Sequence, residues 1–383
     1  MYMRGAFAAT GSTMFLVCQP EFPLGVCKAA WEQGLMNLHI PEEYGGAALG
    51  AIEGVLVAEE LGYGCSGIGT AVEANNLAEA PLIVAANEDI KKRFLTPMAE
   101  EFQMASYAVT EPGAGSDVAG YRTRAVYDEA TDEWVLDGTK AWITNGGIAD
   151  VHVVVGVVDP ELRAKGHASF VVPPGTPGLS QGQKYKKHGI RASHTAEVVL
   201  DGVRVPGRCL LGGKEKLDER LARVREGKPG NAQAAMQTFE ATRPAVGAQA
   251  IGIARAAYEY SLEYAKERHA FGRPIIMNQG IAFMLADMAT EIEATRALIW
   301  RAAWLGKQRA FVNAEGSMAK LKAGRVATWV TERAIQILGG YGYTREYPVE
   351  RWHRDAKIHD IFEGTEQIQQ LVVSRAISGL RIE

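Results

Sequence analysis

The run IFEGTEQIQQ, residues 361–370, places a carboxylate, Glu363, between Phe362 and Gly364 with few other charges nearby. That setting suits a general base. An apolar flank strips water from a carboxylate and raises its pKa toward neutrality, where it can take up and release a proton. The glycine lets a ligand approach the backbone closely. A surface glutamate in a helix-capping turn satisfies the same dipeptide, so the rest of the chain has to choose between the two.

Two further segments carry polar chemistry. In YAVTEPGAGSDVAG (107–120) the hydroxyls of Thr110 and Ser116 flank a Pro-Gly-Ala-Gly turn, which exposes backbone N–H groups to an anion such as a pyrophosphate; a plain loop is the other reading. In KAWITNGG, Trp142 and Thr144 are two residues apart, on one face of a strand. There an indole and a hydroxyl can stack on and bond to a planar heterocycle, unless Trp142 is simply core. Together the segments favour a cofactor with a ring and a phosphate. No G-x-G-x-x-G stands between a strand and a helix, which disfavours a nicotinamide site. No H-E-x-x-H or His/Cys cluster points to a metal, and His353 and His359 read as structural or surface residues. Arg354-Asp355 reads as a structural ion pair.

The elements that must position these residues follow from pattern. The 383 residues suffice for two or three domains. A net charge of −4 without a basic stripe gives no sign of nucleic acid. Cys18, Cys27, Cys65 and Cys209 lack metal spacing and read as reduced, mostly buried thiols suited to the cytoplasm. No apolar run is long enough to span a bilayer. Residues 1–104 read as an N-terminal α-helical domain, opening on a poorly specified leader, MYMRGAFAATGSTMFLVC. Its helices begin at Pro23, stop at Gly62, and are capped at Asn87 and broken at Pro97. Residues 105–211 carry short strands, with hairpin turns near Ala130 and at Asp137-Gly138 and a near-continuous apolar strand in VHVVVGVVDP; they predict an antiparallel β-barrel or sandwich. Residues 212–230 read as a charged, exposed insertion, either a solvated helix or a disordered loop. Residues 231–383 read as a C-terminal four-helix bundle, with apolar stripes at Ile251, Ala254, Tyr258, Leu262 and Ala265 and at Ile281, Leu285, Met288, Ile292 and Ile299, and a third helix ending at Gly339-Gly340. The fold class is α+β and multi-domain.

YAVTEPGAGSD, WITNGG, Thr242-Arg243-Pro244, ERHAFGRPI at 267–275 and QILGGYG with DAKIHDIFEGTEQIQ together resemble the flavin-dependent acyl-CoA dehydrogenase family. The resemblance runs from about Glu21 to the end and keeps the family's domain order. GLMNLHIPEEYGG and EELGYGCSGIGTAVEANNLAEAPLI resemble the medium-chain branch.

The resemblance implies an FAD enzyme of fatty acid beta-oxidation, an oxidoreductase acting on CH–CH donors. It would convert an acyl-CoA to the trans-2-enoyl-CoA and pass electrons to electron-transfer flavoprotein. Glu363 would be the base that removes the pro-R α-proton while the β-hydrogen leaves as hydride. Relatives with the base elsewhere carry it at the position of Thr242; Glu240 is near but out of register. Tyr107, Val109, Thr110 and Ser116 would contact isoalloxazine and phosphate. Trp142 and Thr144 would cover the ring. Arg268, Phe271 and Gln279 would bind the pyrophosphate and adenine side from a neighbouring subunit, and Gln336, Gly340, Thr365 and Gln367 would complete the site. Arg243, with Glu240, would face CoA, while Ser116, Phe362 and Gly364 would also meet substrate. Arg268 alone also reads as a cation at a helix C-terminus. A cross-subunit site implies an oligomer, a homotetramer built as a dimer of dimers, in the cytoplasm or an organelle matrix.

Three features depart from the family pattern: the leader replaces a helix, the charged insertion replaces a glycine-rich joint, and Phe362 stands where medium-chain relatives have Tyr. Two alternatives to a dehydrogenase stay open, a catalytically silent flavin-binding subunit of a hetero-oligomer and an acyl-CoA oxidase.

Overall fold

The computed structural model describes residues 22–228, 234–308, 311 and 313–382, with the side chains of 234–241 left aside. The leader and the side chain of Glu240 lie outside the described residues.

Helices α1 (Leu24–Glu32), α2 (Ala51–Ala85) and α3 (Glu88–Glu100) come first. Pro23 caps α1, and the Asn87 side chain accepts the Ile90 N–H at the start of α3. Two expected stops are not stops. The α2 helix passes Gly62 and kinks instead at Cys65, whose backbone is extended, because Gly62 serves close approach of another helix. The α3 helix passes Pro97 and ends at Glu100. Its Pro97 lies within the last turn, where the disruption of one helical bond is small beside the burial of Phe94, Leu95 and Met98.

Seven strands follow: β1 (Ala105–Ala108), β2 (Arg124–Asp128), β3 (Glu133–Thr144), β4 (Val151–Val157), β5 (His167–Val172), β6 (Leu179–Lys184) and β7 (Thr195–Pro206). They form one sheet in the order β1-β4-β2-β3-β7-β6, with β5 added against β4. Most pairings are antiparallel, as expected for the β domain, but β1 and β2 both meet β4 in parallel. Every residue of β4 is buried, since it is central and covered on both faces. The β2–β3 hairpin turns near Ala130 as expected. Asp137-Gly138 does not turn; β3 runs through it and the register with β7 slips there. Asp201-Gly202 on β7 lies opposite, and the Gly202 N–H donates to Asp137 Oδ1 at 2.7 Å. Each Asp-Gly is therefore half of a paired bulge, which bends two twelve-residue strands.

Of the two readings of the insertion, the helical one holds: α4 (Lys214–Arg225) docks on the sheet by burying Leu217. Arg220 donates to the carbonyls of Lys165 and His167 (2.6 Å each), and Arg225 pairs with Asp159 at 2.6 Å.

The remaining helices are α5 (Ala234–Glu267), α6 (Gln279–Lys307), α7 (Glu315–Leu338), α8 (Val349–Ala356) and α9 (Glu366–Ser378). The stripes of α5 and α6 face inward: Ile251, Ala254, Ala265, Leu285, Met288, Ile292 and Ile299 are buried, while Tyr258, Leu262 and Ile281 are partly buried. The first half of α2 packs into this bundle through Val55 and Ala58, and its second half packs under the sheet through Ala78 and Leu82. One helix thus ties bundle to sheet. Gly339, at φ +62°, closes α7. The three described cysteines, Cys27, Cys65 and Cys209, are buried free thiols. Among the described residues no helix is long and apolar enough to cross a membrane.

Candidate active site

Glu363 sits in the turn between α8 and α9, at φ +56°, followed by Gly364 at φ +95°. A left-handed non-glycine residue is costly and persists only where its surroundings hold it. Here Gln369 Nε2 donates to the carbonyls of Glu363 (2.9 Å) and Gly364 (3.0 Å). Lys320 Nζ, from α7, donates to the Gly364 carbonyl at 2.6 Å. The conformation turns the side chain of Glu363 inward. Its Oε2 is sealed from solvent with no hydrogen-bond partner among the described residues. Burial raises its pKa to about 7, against the lowering pull of Arg243 and Lys320. Phe362 packs edge-on to His359 at 4.9 Å. Buried His359 lies 3.3 Å from the Ser66 hydroxyl of α2 and is pushed down to about 3 by desolvation and then by Lys320. It is a neutral ring, not a second acid.

Tyr107 on β1 is close enough to Glu363 to feel its charge, so the first segment and the glutamate share one site. Burial raises the Tyr107 phenol, which bonds Ser169. The turn after β1 is braced from inside. Glu111 accepts the N–H groups of Arg122 (2.7 Å) and Thr123 (2.9 Å) and pairs with Lys140 at 2.8 Å, which also donates to the Val109 carbonyl (2.9 Å). Val109 is buried, Thr110 half-buried, and Ser116 exposed at the tip.

Trp142 is not core. It is 58 % exposed, at φ +64°, and stacks on Tyr185 with ring centroids 3.9 Å apart at 18°. Thr144 is half-buried two residues on. The strand end is pinned by Asn145, whose Nδ2 donates to the carbonyls of Ala71 (3.0 Å) and Ala105 (3.2 Å). An open aromatic platform and a polar turn at neighbouring strand ends fit a planar ring with an anionic tail.

Arg243 is buried in α5, with its guanidinium donating to Ser317 Oγ at 2.7 Å. Thr242 precedes it, so that position holds no carboxylate. Arg268 is exposed and lies over Tyr341 at 5.6 Å, beside Gly340. Phe271 and Gln279 are exposed, and neither bonds or stacks on the rest of the set among the described residues. Gln336 and Gln367 are exposed; the Thr365 hydroxyl caps α9 by accepting the Ile368 N–H at 3.3 Å. Arg354 and Asp355 do not pair with each other. Adjacent helical residues point apart, so Arg354 pairs with Glu350 one turn back at 2.8 Å, and Asp355 accepts the Ile190 N–H at 2.5 Å.

Sequence reasoning missed Lys320, Gln369 and Tyr185, whereas His359, read as structural or surface, is a buried structural ring. Lys320 had a signal: it stands with Gly316, Ala323, Gly324 and Ala327 on the buried stripe of α7, where an unpaired lysine is costly.

Family models match along the chain: acyl-CoA dehydrogenase, N-terminal domain, over 17–101; middle domain, over 106–203; and C-terminal domain, over 232–378. The chain belongs to the acyl-CoA dehydrogenase family. It is 41 % identical over 355 residues to the short-chain specific acyl-CoA dehydrogenase, mitochondrial, of Rattus norvegicus, covering 92 % of this chain and 82 % of that one. Butyryl-CoA dehydrogenase from Megasphaera elsdenii is similar in structure, with a TM-score of 0.90, 33 % identity, and coverage of 98 % of this chain and 96 % of that one. So is a chain from a structure described as the electron transferring flavoprotein of Acidaminococcus fermentans, with a TM-score of 0.89, 36 % identity, and the same coverages.

Proposed function

We propose that the protein is an FAD-dependent acyl-CoA dehydrogenase that converts a short straight-chain acyl-CoA thioester to its trans-2-enoyl-CoA. The observation that carries this reading is Glu363: a partly buried residue whose Oε2 is sealed from solvent without a hydrogen-bond partner among the described residues, and whose pKa burial raises to about 7. The α-proton of a thioester is too weakly acidic for an ordinary carboxylate at neutral pH. Desolvation strengthens Glu363 as a base. The N–H of Glu363 makes no hydrogen bond among the described residues, and it is the donor positioned to polarise the thioester carbonyl. Arg243 lies beside the base and supplies a cation on the side proposed to receive CoA.

Bound FAD would supply the acceptor for the β-hydrogen as hydride. Trp142 with Tyr185 would cover its ring, Thr144 would bond to it, and Val109, Thr110 and Ser116 would hold its polar edge and phosphates. Gln336, Gly340, Thr365 and Gln367 remain our assignment for the rest of the dinucleotide. Electron-transfer flavoprotein is the proposed acceptor, consistent with the similar Acidaminococcus chain. The relatives above are short-chain and butyryl enzymes, so the proposed chain length moves from medium to short.

The active form is proposed to be a homo-oligomer. Phe271 is 95 % and Tyr343 87 % exposed, and Phe283, Trp300 and Trp304 lie open on α6. Such apolar surface is uncommon on a monomer. A neighbouring subunit would bring Arg268, Phe271 and Gln279 to the flavin.

Anaerobic titration with butyryl-CoA tests the function: the flavin absorbance should bleach at stoichiometric substrate, and octanoyl-CoA should act less well. A yellow protein that no acyl-CoA bleaches would refute the reading. Peroxide release in air at the rate of turnover would make it an oxidase instead.

A further inference from the structure

We infer that Lys320 is a positioning residue for the base: it fixes the Glu363–Gly364 turn through the Gly364 carbonyl and sets a cation against the Glu363 carboxylate. The inference rests on the proposed role of Glu363. Lys320 lies in the middle of α7 and is almost fully buried, and its Nζ is 2.6 Å from the Gly364 oxygen. A carbonyl alone does not call for a buried ammonium. Gln369 already donates to the same oxygen at 3.0 Å, so the turn has a neutral donor without Lys320. A buried cation needs a counter-charge.

The acids that face Lys320 are Glu363, Asp360 and Glu366. Asp360 is engaged by Thr328 (3.1 Å) and by Lys357 (3.0 Å). Glu366 is paired with Arg325. Asp360 Oδ1 and Glu363 Oε2 are both buried without a hydrogen-bond partner among the described residues, but Lys357 already balances the charge of Asp360 as Arg325 does that of Glu366. Glu363 has no such ion pair among the described residues and is therefore the acid left for Lys320 to balance. The other groups around the pair are Arg243, which faces both, His359, which faces Lys320, and Tyr107, which faces Glu363. His359 stays neutral, so it neither replaces nor cancels the lysine. Burial brings Lys320 down to about 8, while the charge of Glu363 pulls it back toward the ammonium form.

The arrangement gives Lys320 two effects on the base. It holds the left-handed turn that aims the carboxylate. It also keeps desolvation from driving the Glu363 pKa so high that the base would be protonated at neutral pH.

The test uses the purified flavoprotein as wild type and as Lys320→Met, Lys320→Gln and Lys320→Arg. Infrared titration of the buried carboxylic acid, assigned by its loss in Glu363→Gln, reads the Glu363 midpoint without turnover. Lys320→Met should raise that midpoint by on the order of one pH unit. Lys320→Arg should return most of the shift. The acid limb of flavin reduction by butyryl-CoA should move with it. Lys320→Gln keeps a donor for Gly364 without the charge, and it carries the test if the Met variant does not fold. An unmoved midpoint in a folded Met or Gln variant overturns the inference, whatever the rate. A midpoint that moves in a protein no acyl-CoA bleaches would support the lysine's effect on Glu363 while refuting the proposed function.

Discussion

Gly62 of α2 lies against Gln249 of α5 so closely that a Cβ at Gly62 would stand 2.2 Å from the Gln249 carbonyl oxygen. Gly252 repeats the contact in reverse, with its Cβ position 2.1 Å from the Glu59 carbonyl. Two glycines thus set the crossing of α2 and α5 at backbone contact. The same crossing places Ser66, whose carbonyl accepts from Gln249 Nε2 at 3.3 Å and whose hydroxyl meets His359. Helix spacing is in this way transmitted to the turn that carries Glu363. Gly62→Ala or Gly252→Ala should lower stability by roughly 1–3 kcal/mol, the cost of forcing overpacked helices apart. Gly280→Ala has nothing within 4 Å of its Cβ position and should leave stability unchanged or slightly raised. Urea unfolding of the three variants checks this.

The Glu363 carboxyl gives a pH signature with a definite sign. Its folded pKa, about 7, lies above the value of an exposed glutamate, so the proposed base is mostly protonated below neutrality. The rate of flavin reduction by butyryl-CoA should rise with pH to a plateau, with its midpoint near 7. Glu363→Gln should keep FAD and acyl-CoA ester binding and lose reduction by at least about 10³-fold. Because burial disfavours the charged form, the stability contributed by neutral Glu363 is lost as pH rises through 7. The Gln variant should therefore be no less stable than wild type at pH 8. Stopped-flow reduction across pH 5.5–8.5 and thermal melts at its ends measure both.

Much of this architecture was legible because its signals are local. Asn87 caps α3 as its residue type demands, and the stripes of α5 and α6 face the core at the spacing read from sequence. The misreadings came where a distant partner overrules a local preference. Gly62 signals a stop, but a helix far along the chain needs its bare backbone. Asp137-Gly138 signals a turn, but Asp201-Gly202 meets it across the sheet and makes a bulge of both. The proposed base was visible in Phe362-Glu363-Gly364. The groups around it were not: Gln369 looks like a surface residue, and the stripe of α7 marks Lys320 as buried without showing what it faces, until the turn between α8 and α9 folds back over α7.

Trp142 offers a test of the ring site that does not depend on turnover. Its stacking on Tyr185 presents one aromatic face to solvent. If a flavin covers that face, Trp142→Ala should weaken FAD retention by about tenfold, the loss of one aromatic contact. Tyr185→Phe keeps the stacked ring and should retain FAD as wild type does. The ratio of flavin to protein absorbance after dialysis against potassium bromide distinguishes these outcomes.

Glu79 provides the last prediction, about stability alone. It is fully buried in α2, and neither carboxyl oxygen has a hydrogen-bond partner among the described residues. Burial, then the charge of Glu73, raises its pKa to about 8; Glu73 itself is raised to about 7 by burial. Two carboxyls six residues apart on one helix are therefore both stable chiefly as neutral acids. In the unfolded chain they ionise near pH 4.5. Between that value and 8 the folded state holds protons that the unfolded state has given up, so stability must fall as pH rises through this range. Glu79→Gln keeps the shape and polarity of the neutral acid and cannot ionise. It should leave stability near pH 4.5 unchanged, raise it by about 1–3 kcal/mol at pH 8, and flatten the slope between. Urea unfolding at pH 5, 6.5 and 8 measures that slope; an equally steep one in Glu79→Gln would show that the acid is solvated or paired in the folded protein.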